Sequence, residues 1–221
     1  MHGLKPAPKK VASHQSVFLP WIGFWNKVAS ADVCVISNAT DFSRRDFEHR
    51  VKIQNAWVTL PFQQTGPRLA DIIITSDGGI CQRIEKSLMV KRFKFHHRLE
   101  GVVNLLHVLT QEPVPLVYLN KVLMYQLATL LGITTPLVFD EEPTAGPSKT
   151  QRLQTRLERN VGTDFRYLAG IGAKAYMDSD FQYPVHYQHL TQGLSTDSIL
   201  QLIAEHEHPL SQVLGAAEWK P

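Results

Sequence analysis

The chain is poor in cysteine, and what it has is badly placed for cross-linking or metal binding. Cys34 and Cys81 are the two cysteines in 221 residues, and they stand far apart in no ligand or redox spacing. A disulfide framework and a cysteine-based zinc motif are therefore set aside, and the pair reads as buried, reduced thiols suited to a cytoplasmic protein. No stretch of about 18 uncharged apolar residues occurs, so no membrane partner is expected. The opening "MHGLKPAPKK" lacks the apolar centre of a signal peptide. Internal repeats and low-complexity tracts are missing too. So are the Walker loop, the G-x-S-x-G elbow and the complete G-x-G-x-x-G fingerprint, which removes the usual P-loop, α/β-hydrolase and dinucleotide-binding classes. No organic cofactor is signalled and no metal is assigned.

Charge of one sign is also scarce. The formal net charge is +3 and the pI about 8.9, a mild excess that suits a polyanionic partner without requiring one. Apolar residues, by contrast, are plentiful at 43%, enough for a substantial core and a single domain over 1–221 with a loose tail at 1–9.

Periodicity supplies the elements. A strand over Lys10–Ser13, a helix over Trp21–Ser30 opened by Pro20, and the continuous apolar run Asp32–Ser37 make a β-α-β start. A polar, cationic loop over 38–54 follows, then strands over Ala56–Phe62 and Asp71–Ser76. Residues 80–110 read as helical with a basic first half. A second helix over 114–131 closes at Gly132, and a strand over Thr134–Asp140 leads into the turn-rich "EEPTAGPSKT". Beyond it come a helix from Ser148 to about Asn160, a strand in "FRYLAGIGAKAYMD", an edge strand in "YPVHYQHL", and a helix in "STDSILQLIAEH" with Ser195 as N-cap. This alternation predicts an α/β fold: a three-layer, Rossmann-like, mostly parallel sheet with flanking helices and a basic helical insertion at about 80–132.

Four stretches carry candidate chemistry. His14 and Gln15 fall where the first strand ends, the place where α/β folds gather ligands, and His14 titrates nearest neutrality. "DFSRRDFEHRVKIQ" packs Asp41, Arg44, Arg45, Arg50 and Lys52 between two apolar strands, so its guanidinium groups are candidates to grip carboxylate or phosphate. "VKRFKFHHR" interleaves Lys91, Arg92, Lys94 and Arg98 with phenylalanines, a pattern that grips a nucleic-acid backbone or else simply buries its aromatics. Gly170 and Gly172 follow a strand, where they would let backbone approach a ligand.

"HQSVFLPWIGFWNKVASADVCVIS", then "DFSRRDFEHRVKIQ" and "WVTLPF", resembles the opening of the WbqC-like family. "SKTQRLQTRLERNVGTDFRYLAGIGAKAYMD" resembles its second block, and "GLSTDSILQLI" its closing helix. Residues 63–147 match only loosely. The family occurs in bacterial surface-polysaccharide gene sets, and a related phage branch comprises amino acid:DNA transferases of DNA hypermodification. The resemblance therefore implies an enzyme attaching an amino acid such as glycine to a phosphorylated 5-hydroxymethyl-pyrimidine in double-stranded DNA. The alternatives are a transferase acting on a nucleotide-linked sugar or amino-sugar, and a non-catalytic DNA-binding accessory protein.

Under the first reading, His14, Gln15, Asp41, Arg45, Arg50 and Lys52 form the catalytic set. Trp21, Arg44, Gly170, Gly172, Tyr176 and Tyr187 bind substrate. Lys9, Lys10, Lys91, Arg92, Lys94 and Arg98 hold DNA phosphates around a flipped base.

Overall fold

The computed structural model describes residues 7–89, 93–177 and 180–221. Its centre is the expected β-α-β unit: β1 (Lys9–Gln15), α1 (Ile22–Ala29) and β2 (Val33–Ser37). The two strands run parallel, with Val11 opposite Val33 and Gln15 opposite Ser37. After β2 the chain leaves the sheet for a long excursion. A hairpin, β3 (Arg50–Ile53) and β4 (Ala56–Thr59), turns through Gln54 and Asn55, both at positive φ, as a tight hairpin turn requires. A small antiparallel sheet joins β5 (Phe62–Gln64), β6 (Ile72–Ile74) and β7 (Val114–Pro115), and α2 (Ile80–Leu88), α3 (Glu100–Leu109) and α4 (Leu116–Leu131) pack with it.

The chain then returns through β8 (Leu137–Asp140), α5 (Lys149–Val161), β9 (Phe165–Ala169), β10 (Val185–Leu190), α6 (Ile199–Glu205), α7 (Pro209–Leu214) and β11 (Ala217–Lys220). The main sheet has the order β11-β10-β9-β1-β2-β8, parallel throughout except for β11. This is the α/β, mostly parallel, Rossmann-like architecture that the alternation predicts.

Strand alternation decides what each face buries. Ala12, Cys34 and Ile36 face the larger core, which holds Phe24, Trp25 and Val28 of α1 and the helices of the excursion. Val11 and Val35 face the other way, onto Leu153 and Leu157 of α5. Burying side chains of this size contributes about 1.5–3 kcal/mol each, so α1 is fixed mainly by its inner face. Cys34 and Cys81 are both buried and unlinked.

Several boundaries differ from the periodicity. The helix expected over 80–110 is broken: Phe95 N–H donates to the Ala204 carbonyl, and His96–Leu99 forms a tight 3-10 turn before α3 begins. A tertiary bond at the end of α6 thus overrides local helical preference. The loop at 38–54 ends in β3, whose Val51 and Ile53 are buried in alternation. β10 is an interior strand, because β11 covers what would be its open edge. The last helix begins later than expected, with Ser198 as N-cap accepting from Leu200 N–H, while the Ser195 hydroxyl accepts from Asp197 N–H.

Gly132 does close α4, at φ +71. Among the described residues no helix is long and apolar enough to cross a membrane.

Candidate active site

From β1 the chain steps outward to β2 and β8, then crosses back to β9 on the other side of β1. The reversal opens a crevice at the carboxyl ends of β1 and β9, the usual ligand position in such sheets. A cleft of about 710 Å³ lies there. His14 and Gln15 enter it from β1, Asp41 and Arg68 from paired loop segments, and Lys149, Arg152 and Arg156 from α5, with Tyr176 beside them.

The cationic wall is a product of helix geometry. Ser148 caps α5 by accepting from Gln151 N–H at 3.1 Å, which starts the helix at the cleft. Lys149, Arg152 and Arg156 follow at spacings of three and four, so they share one face. Arg152 Nη1 donates to the Gly146 carbonyl at 2.7 Å. Gly146 sits at φ +157, and a Cβ there would lie 3.1 Å from Arg152 Cγ, so a side chain would crowd the arginine.

Arg156 Nε stands 3.2 Å from Asp140 Oδ2, and Arg159 closes on Asp140 Oδ1 at 2.6 Å. The contact to Arg156 is close but poorly aligned, leaving its buried Nε–H without a hydrogen-bond acceptor among the described residues. Burial lowers the Arg156 pKa, while the Asp140 carboxylate works to keep the guanidinium charged. Three cations along one face of α5, beginning at its N-terminus and joined in the cleft by Arg68, are suited to a phosphate or diphosphate.

The cleft lining also presents acceptors. His14 packs edge-on against Phe24, and its Nδ1 lies 2.9 Å from the Gln15 carbonyl. Burial, with the nearby charge of Lys27, lowers its pKa to about 3, against a smaller upward pull from the Gln15 carbonyl. A neutral ring facing a carbonyl carries its proton on Nδ1 and offers Nε2 as a lone pair. Lys27 is itself buried, donating from Nζ to the Ser13 carbonyl at 2.8 Å, and burial brings its pKa down to about 8. Gln15 donates from Nε2 to Glu48 Oε1 at 3.0 Å, which turns its amide oxygen away from Glu48.

The His14 imidazole signals are therefore expected not to titrate between pH 8 and pH 5 in proton–carbon NMR spectra. A midpoint near 6.5 would contradict this environment. Because the folded pKa lies below the unfolded one, His14 stabilises the fold fully above about pH 6.5, and that contribution falls as the pH drops toward 3.

The cationic loop is placed differently from the α5 face. Its centre is pinned inward: Phe47 carbonyl accepts from Phe18 N–H, and Glu48 and His49 are buried. The flanking cations are thrown outward. Arg44 donates to Gln64 Oε1 at 3.2 Å over the Phe62 ring, and Arg45 is exposed. Arg50 lies over Trp57 at 4.1 Å and Lys52 at 5.2 Å, on the β3–β4 hairpin. None of these four lines the cleft.

The other expected site residues are spread more widely. Trp21 covers Gly23, where a Cβ would meet the indole at 2.5 Å, and bridges to Ser198. Gly170 and Gly172 have open space where a side chain would go, and neither lines the cleft. Tyr187 lies beneath Lys174, and Tyr176 is in the cleft. Lys94 and Arg98 flank Phe95, and Arg98 also donates to the His206 and Glu207 carbonyls. Lys9 and Lys10 begin β1, about 13 Å of strand or more from His14. Lys91 and Arg92 lie outside the described residues.

Sequence reasoning missed Arg68, Lys149, Arg152, Arg156 and Glu48. The α5 cations did leave a signal, a one-sided basic spacing directly after a Pro- and Gly-containing turn. Elsewhere, Asp77, Cys81 and His107 bring potential metal ligands within 4.8 Å. The Asp77 oxygens already accept from Gly79 and Cys81 N–H at the start of α2, which accounts for the closeness of Asp77 and Cys81.

Fold and cleft together define a doubly wound α/β protein with a crevice lined by cations at its switch point. Residues 15–192 match the WbqC-like protein family, and the chain belongs to that family. It is 25% identical over 179 residues to uncharacterized protein Rv1507c of Mycobacterium tuberculosis, covering 77% of this chain and 76% of that protein. No solved structure matches it.

Proposed function

We propose that the protein is a transferase that replaces a phosphate or pyrophosphate leaving group with an amine. One observation supports this reading: a single cleft is lined both by cations (Arg68, Lys149, Arg152, Arg156) and by acceptors (His14, Gln15, Asp41). The amine nitrogen attacks the carbon bearing the phosphate. The carbon–oxygen bond breaks, and its electron pair leaves with the phosphate into the cationic wall. An amine bound as its ammonium first gives one proton to His14 Nε2 and on to solvent, which frees the lone pair that attacks; the second proton, surplus once the carbon–nitrogen bond has formed, leaves with the departing phosphate. Burial, more than Lys27, makes the ring with its pKa near 3 a weak base; an arriving phosphate dianion offsets the part due to Lys27, and the ring acts as a relay that hands the proton on.

A nucleotide-linked sugar is the carrier we place first. A second hollow of about 710 Å³ adjoins the cleft at Ala145 and Gly146 and is lined by Gln151, Gln154, Thr155 and Gln182, amide and hydroxyl groups that suit a sugar or a base. The second reading is transfer of glycine to a phosphorylated 5-hydroxymethyl-pyrimidine in DNA. It is favoured by the partly exposed Trp57 with Arg50 and Lys52 against it, an aromatic and cationic surface of the type that holds nucleic acid.

The test is incubation with glycine and either a nucleoside-diphosphate sugar or duplex DNA bearing 5-phosphomethyl-deoxyuridine, followed by mass analysis of products or digested nucleosides. A new carbon–nitrogen product with release of nucleotide or phosphate identifies the carrier. No product from either substrate, together with no binding of inorganic pyrophosphate, would end the proposal.

A further inference from the structure

Behind the cleft lies a buried acid that the mechanism above does not use. Glu48 is 1% exposed and Asn120 0%. Glu48 Oε1 accepts from Gln15 Nε2 at 3.0 Å, and the Glu48 backbone carbonyl accepts from Asn120 Nδ2 at 3.0 Å. Among the described residues Glu48 Oε2 has no hydrogen-bond donor, and neither has Asn120 Oδ1. Buried acceptors without donors are costly, and a proton on the carboxyl would supply one.

An ionised carboxylate can only accept, so it holds the Gln15 amide with its NH₂ inward and its oxygen turned from Glu48. A neutral carboxylic acid can also donate, and with its proton on Oε1, the oxygen that faces Gln15, the favourable orientation is the reverse, with the amide oxygen inward. Since Gln15 lines the cleft, its face toward a ligand changes from acceptor to donor.

We infer that Glu48 is a positioning residue that sets which end of the Gln15 amide faces the cleft, and so whether the cleft accepts an amine. The identity of the ligand as an amine rests on the transferase reading; the coupling between the two side chains does not. Burial moves the Glu48 pKa up to about 7, placing the change within the physiological range. Asp46 adds to the rise. Arg50 opposes it, as do the Glu48 and Ser43 backbone N–H groups, which lie near the carboxyl without aligning on Oε2. The neighbouring His49 is lowered to about 4 by burial and the charges of Arg50 and Arg44, so it stays neutral over this range. In the ionised state the amide oxygen joins His14 Nε2 and the Asp41 carboxylate, three acceptors suited to a primary ammonium. In the protonated state two N–H donors would face that ammonium instead.

The experiment follows the Gln15 side-chain amide by NMR in glutamine-labelled protein, its signal identified by its loss in Gln15→Ala. In the wild type the amide should shift between pH 5.5 and 8.5 with one midpoint near 7, shared by the ¹³C-labelled Glu48 carboxyl. In Glu48→Gln the shift should vanish. Glycine affinity, measured by calorimetry, should rise about tenfold across the same range in the wild type and stay flat in Glu48→Gln, whereas pyrophosphate affinity should differ little between the two proteins. Distinct midpoints for the two wild-type groups, or an unchanged Gln15 titration in Glu48→Gln, would overturn the inference even if that variant folded poorly, since the first comparison needs only the wild type. A shared midpoint without any glycine binding would keep the coupling and overturn the amine reading.

Discussion

Replacing Arg152 and Arg156 together with methionine is expected to weaken inorganic pyrophosphate binding by about 100-fold or more. Each guanidinium supplies charge-assisted hydrogen bonds worth about 1.5–3 kcal/mol, and about 1.4 kcal/mol corresponds to a factor of ten. The two side chains line the same wall on one helix face, so their losses fall on one ligand. Methionine retains the packing of the long stem, which separates loss of charge from loss of volume. The fold should survive, because Asp140 keeps Arg159 as a partner. Arg44→Met is the matched control, since that guanidinium stands over Phe62 outside the cleft and its loss should leave affinity within about twofold. Calorimetry at two salt concentrations reads the result. Equal affinity in the wild type and the double variant would mean that the anion does not sit on α5.

Why the sequence singled out the loop arginines and not those that line the cleft has a physical answer. Runs of cations in "SRRDFEHR" stand out because they are dense, but density does not say which way a loop faces. Direction there is set by the burial of Glu48 and His49 and by the Phe47–Phe18 backbone bond, contacts between segments distant in sequence. The α5 cations are sparser, yet their spacing fixes them to one face of a helix that begins at the crevice. His14 and Gln15 were legible for a different reason. They end the first strand of a β-α-β unit, and the sheet's order then places that end at the switch point. The parallel sheet was readable from apolar runs such as "VCVIS". The break after α2 was not, because it depends on a hydrogen bond from Phe95 to Ala204 that no local pattern announces.

The second large effect concerns stability. Asp140 closes β8, is 4% exposed, and meets Arg156, Arg159 and Asn160, three residues of α5. Asp140→Leu should destabilise the protein by about 3–5 kcal/mol, because it leaves Arg156 mostly buried and without its counter-charge. For a chain of this length that corresponds to a fall in Tm of roughly 6–20 °C. Removing the stranded cation as well should reverse much of the loss, so Asp140→Leu with Arg156→Met should lie well above the sum of the two single effects in a double-mutant cycle. The cycle also separates two roles of the carboxylate. If Asp140 only anchors α5 to the sheet, pyrophosphate affinity in Asp140→Leu should match the wild type under conditions where both are folded. If it also aims Arg156 into the cleft, affinity should fall about tenfold, the equivalent of one charged hydrogen bond. The contact of Asp140 with Arg156, 3.2 Å from Oδ2 to Nε, together with the place of Arg156 in the cleft lining, favours the second outcome: the carboxylate holds the guanidinium in place at the cleft wall. An Asp140→Leu protein as stable as the wild type would show that the buried arginine needs no partner, and the electrostatic account of the cleft wall would fail with it.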